Sequence, residues 1–126
     1  MLDPLSGAPP ARARAARLIE GLVVARGLVS PGRAAILIAN VVLPFAAAWA
    51  SLAGDVALGL SAREVYAALP GLPSNQLMRE MMRQIGLSRL PAGAVAQQGL
   101  QHLWSELCRD KRCPACPCNV AAVILI

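Results

Sequence analysis

Apolar residues return every three or four positions along most of this chain, and nowhere do they alternate with polar ones over the length of a strand. That period predicts helices. A first helix is expected over residues 11 to 26, with Leu18, Leu22 and Ala25 on one face and Gly27 as its stop. Ser30 and Pro31 read as the N-cap and first residue of a second helix. From 34 to 54 that helix carries no charge. A helix apolar all round suits the middle of a bundle, so the second is expected to be central, with the Met-rich and Gln-rich helices packed around it. Pro44 lacks an amide and should kink the helix and free the carbonyl of Asn40, whose side chain is expected to satisfy a buried backbone group.

Ser61-Ala62-Arg63-Glu64 reads as a capping box that opens a third helix, closed before Pro70. Pro73-Ser74-Asn75 opens a fourth, in which Leu77, Met78, Met81, Met82 and Ile85 form one stripe ending at Gly86. A fifth, from about 92 to 107, is expected to bury Val95, Ala96, Leu100, Leu103, Trp104 and Leu107 and to turn Gln97, Gln98, Gln101 and Glu106 outward. The expected fold class is all-α. A disordered leader (1–10) precedes a bundle of about five helices (11–107), a Cys-rich metal-binding loop (108–118) and an apolar tail (119–126).

Four cysteines fall within eleven residues, Cys108, Cys113, Cys116 and Cys118, and the rest of the 126-residue chain has none. Several thiolates in one loop can close on a metal without help from distant segments, and Pro114 and Pro117 keep the backbone bent between them. No apolar stretch of a secretory signal opens the chain, so the thiols are expected to stay reduced in the cytoplasm. Cys116 and Cys118 are also too close for an easy mutual disulfide. Zinc is one candidate, although only Cys113 and Cys116 form a two-residue-spaced pair. An iron–sulfur cluster is the other, because C-x4-C-x2-C matches the plant-type ferredoxin spacing without its remote fourth Cys. Cys118 is the first choice for the fourth ligand and His102 the alternative. Arg109, Lys111 and Arg112 are expected to lower the thiol pKa values and offset thiolate charge, and they form a possible anion-binding patch.

Composition narrows the functional classes. Hydrophobic residues make up 56% and charged ones 15%, consistent with an apolar face that a partner covers. The net charge of +5 is carried almost wholly by Arg. A nucleic-acid partner would need more stacking aromatics than Trp49, Trp104, Tyr66 and Phe45 provide. The uncharged stretch is long enough to span a bilayer, but Asn40 and Pro44 near its middle disfavour a single-pass membrane protein. No phosphate-binding Gly loop, nucleophile elbow or acidic metal site occurs, so no catalysis is expected from this chain alone.

Two stretches together resemble a known family. Gly32-Arg33, Asn40 and Leu43-Pro44-Phe45 resemble its Gly-Arg…Asn…Leu-Pro-Phe signature, and Gln98-Gly99-Leu100, Leu103, Cys108, Cys113 and Cys116 resemble its Gln-Gly-Leu…Leu…Cys-x4-Cys-x2-Cys ending. Both are similar to the C-terminal part of the bacterial family catalogued as domain of unknown function 2851, over roughly residues 16 to 118. The resemblance implies a helical segment ending in a three-Cys motif and supplies no activity. It also implies a larger protein whose N-terminal part, reminiscent of nuclease-like folds, is the expected partner, with a second copy of the chain as the other possibility. On that basis the chain is expected to be a structural or interaction module, or else an iron–sulfur accessory module of a nucleic-acid-processing protein. Cys118 and the tail depart from the family pattern, which leaves the fourth ligand open.

Overall fold

The computed structural model describes residues 7, 9–27 and 29–119. Helix accounts for 72% and no strand occurs among the described residues, which settles the fold class as all-α. Among the described residues there are five helices: α1 (Ala11–Arg26), α2 (Pro31–Ala53), α3 (Val56–Ala68), α4 (Gln76–Ile85) and α5 (94–108). They fall into two compact units, Met1–Pro73 with Gly93–Val95, and Ser74–Ala92 with Ala96–Ile126. Of the expected leader only Gly7, Pro9 and Pro10, and of the expected tail only Asn119, lie within the described residues.

The first unit is built from short side chains. Its core is Ala15 from α1, Ala35, Ile38, Ala39 and Leu43 from α2, and Ala62 and Val65 from α3, closed by Leu69, Leu72 and Ala94. Small residues let backbones approach closely. A Cβ on Gly32 would stand 2.8 Å from Pro73 Cγ, so no larger residue fits there without a shift. The buried face of α1 is Ala15 with the partly buried Ile19 and Leu22, while Leu18 is exposed, so the face predicted from Leu18 and Leu22 is rotated.

Helix α2 begins as read, with Ser30 Oγ accepting from the Arg33 amide. Ahead of Pro44 it widens into a π turn over Ile38–Val42, in which the Leu43 amide reaches back to the Ile38 carbonyl. The kink expected at this proline takes that form. Asn40 Nδ2 donates to the Ile36 carbonyl at 3.0 Å, but both residues are exposed, so the group it serves is not buried. The expected central position also fails. One side of α2 is buried in the first unit, and along the other Val41, Phe45, Trp49 and Leu52 are exposed, Phe45 by 68% and Leu52 by 86%. Uniform apolarity gives no phase to read. At 23 residues α2 is long and apolar enough to cross a membrane by length and composition.

Helix α3 starts earlier than predicted. Asp55 Oδ1 accepts from the Leu58 amide at 2.9 Å and caps the helix, leaving Ser61 and Glu64 in its interior. A carboxylate placed directly after the left-handed Gly54 satisfies the orphan amides one and a half turns sooner, and Glu64 instead pairs with Arg14.

In the second unit α4 follows its pattern. Asn75 caps it by accepting from the Met78 amide at 2.8 Å, Met78 and Met81 are buried, and Gly86 closes it in the left-handed region. Helix α5 follows its pattern only in part, with Leu100 buried and Glu106 exposed as expected. Val95 is 49% exposed and Ala96 is exposed, whereas Gln97 is 1% exposed and donates through Nε2 to the Pro91 carbonyl. A loop carbonyl within reach of an amide side chain outweighed the apolar count.

Candidate metal centre

The last turn of α5 is a π turn over Trp104–Cys108, with the Arg109 amide bonded to the Trp104 carbonyl at 2.9 Å. The helix then stops without a glycine. Lys111 takes the left-handed conformation at φ 53°, its amide bonds to the Cys108 carbonyl at 3.1 Å, and the Arg112 amide reaches the Leu107 carbonyl at 2.8 Å. These two bonds form a Schellman stop, with Lys111 where glycine usually stands. The chain doubles back into a short 3-10 turn, Cys113–Ala115, closed by the Cys116 amide on the Cys113 carbonyl at 3.1 Å. Asn119 Nδ2 donates to the same carbonyl at 3.0 Å, and its backbone amide bonds to Cys116.

This path brings Cys108, Cys113, Cys116 and Cys118 to one cleft of about 160 Å³, whose other walls are Gln84, Ile85, Leu107 and Asn119. Cys108 and Cys116 are half-buried, Cys113 and Cys118 exposed, and all four are free thiols. His102 is exposed on α5 and does not line the cleft. Among the described residues no three His, Cys, Asp or Glu side chains stand ready to hold one ion.

The electrostatics differ from the sequence reading. Partial desolvation in the cleft, followed by the charges of Cys116 and Cys113, pushes the Cys108 thiol above its ordinary pKa. Desolvation also leads for Cys118, followed by the charge of Cys116, a hydrogen bond with Cys116 and the charge of Cys108, again upward. The expected lowering by Arg109, Lys111 and Arg112 does not occur for these two thiols. Arg109 Nε lies 3.5 Å from Asp110 Oδ1 and Arg112 Nη1 donates to the Glu106 carbonyl, so two of the three cations have other partners. Clustered thiols repel one another's charge, and a dication would remove that penalty.

Sequence reasoning missed Asn119, Gln84 and Ile85. Asn119 could be noticed only as a turn former just beyond the last Cys, and the other two come from a separate helix with no local signal. The chain matches no known family model and no curated protein, and no solved structure matches it.

Proposed function

We propose that the chain is a non-catalytic helical module of the cytoplasm whose second unit is closed by one zinc ion on Cys108, Cys113, Cys116 and Cys118. One observation carries this reading: four thiols from a single short segment line the same small cleft. A segment folded over a tight helix stop and a 3-10 turn suits a single ion, held as a closed structural site with no open position for substrate. Desolvation first, and then the charges of neighbouring thiols, raise the Cys108 and Cys118 thiols, and a bound dication would stabilise their thiolate forms. The exposed stripe of Val41, Phe45, Trp49 and Leu52 supports the interaction role, as a face for a protein partner.

Elemental analysis of anaerobically purified protein, beside the Cys113→Ser and Cys116→Ser variants, tests the site. One colourless zinc per chain, lost in both variants, is the expected result. Iron with a visible thiolate-cluster absorption would replace zinc by an iron–sulfur site. Metal content unchanged in both variants, or no metal, would end the proposal.

A further inference from the structure

The first unit holds a second cleft, remote in sequence from the cysteines and walled by three helices. Arg14 and Arg17 come from α1, Val42 and Ala46 from α2, Leu58 and Ala62 from α3, and the open groove between them has a volume of about 380 Å³. That lies within the range of roughly 300–1,000 Å³ common for small-molecule sites. Its lining is apolar apart from Ser61 and one rim. There Arg14 is paired with Glu64, and the Arg14 Nε is buried with no hydrogen-bond partner among the described residues. Arg17, one turn further along α1, is exposed, and none of the ion pairs among the described residues involves it. At the cleft Arg14 is thus matched by a carboxylate, and the exposed Arg17 is in none of the ion pairs among the described residues. The dry Arg14 donor is a costly feature for a core made of alanines to carry at its edge, and the exposed Arg17 adds a solvated positive charge beside it.

We infer that this cleft binds an aliphatic carboxylate, its chain along Val42, Ala46, Leu58 and Ala62 and its head on Arg17. At roughly 30 Å³ per water-sized group, the groove accommodates about twelve such groups, which matches one medium-length chain. Arginine suits the head because its planar fork pairs with carboxylate through two hydrogen bonds. Nothing in this inference depends on the cysteines, which lie in the other unit.

Calorimetric titration of the full chain with decanoate, decanol and decylamine, below their aggregation concentrations, tests it. One decanoate per chain is expected, with decanol weaker and decylamine silent, and octanoate weaker by about fourfold for each methylene removed. Arg17→Glu should abolish decanoate binding at the surface of an unchanged fold. Ala46→Phe should abolish it by filling the cleft, with circular dichroism reporting whether the helices survive. Decanoate binding that persists in Arg17→Glu, that is matched by decylamine, or that is absent in the wild type would overturn the inference.

Discussion

Two of the five helices widen to a π turn, and they do so for different reasons. In α2 the turn over Ile38–Val42 ends just before Pro44, whose ring and missing amide forbid a regular helix there. Ile38 and Ala39 within it are buried in the first unit's core. In α5 the turn over Trp104–Cys108 has no proline inside it or directly after it, and none of its residues is fully buried. Each π turn adds a residue to the helical ring and so rotates everything that follows by about 100°. In α2 that rotation is a consequence of covalent chemistry, fixed by packing. In α5 it re-aims Cys108, directly before the stop at Lys111 and the return to Cys113. In α5 neither a proline nor a buried core residue accounts for the irregularity, and it lies next to the cluster of thiols.

The largest effect should fall on the packed turn. Ile38→Ala removes a side chain that is 1% exposed and should lower the stability of the first unit by about 2–5 kcal/mol. Trp49 lies on α2 and Trp104 at the second π turn, so Trp104→Phe and Trp49→Phe backgrounds report the two regions separately in urea titrations. An equal loss seen through Trp104 would erase the distinction between the turns.

Zinc should act on the other side of the comparison. At a free concentration a hundredfold above its dissociation constant it should add about 2.7 kcal/mol to the transition that Trp104 reports. Hydrogen exchange at the Arg109, Lys111 and Arg112 amides should slow in step, while the α2 amides and the Trp49 transition stay as they were. Protection spread over both π turns would mean that the second is not specific to the thiol loop.

A smaller gain is expected at the helix stop. Lys111→Gly relieves a left-handed residue, offset in part by the freer unfolded chain, and should stabilise the second unit by about 0.5–1 kcal/mol. A loss on that substitution would show that the lysine side chain contributes more than its backbone costs.

The smallest lever is pH. The Arg83 hydrogen bond, then the Gln84 hydrogen bond, holds the Glu80 carboxyl below the usual range. Glu80 therefore releases its proton more readily folded than unfolded, and its contribution is present above the ordinary carboxylate range. It is lost as pH falls through the lowered value. Because the pair is exposed, Glu80→Gln should flatten the acid limb of the Trp104 transition only slightly.

Much of this fold was legible because local chemistry and packing agreed. Gly27, Gly86, Ser30 and Asn75 sit at the helix ends they signal, and the stripe of Met78 and Met81 is buried as its spacing implies. The failures share a cause, since each turned on a neighbour far away in sequence or on a rival local partner. Asp55 outcompeted Ser61 as a cap, the Pro91 carbonyl drew Gln97 inward, and α2 offered no polar face to give its orientation. For the site, the clustering of the four thiols was legible from spacing alone. Their protonation was not, because desolvation and mutual repulsion in the cleft depend on a fold that the basic residues between them do not reveal.

X-ray absorption on the zinc-loaded chain tests the central claim most directly. Four sulfur neighbours at about 2.3 Å, falling to three in Cys118→Ser and unchanged in His102→Ala, is the predicted result. A nitrogen neighbour at about 2.0–2.1 Å that disappears in His102→Ala, or a protein that takes up no zinc, would contradict it.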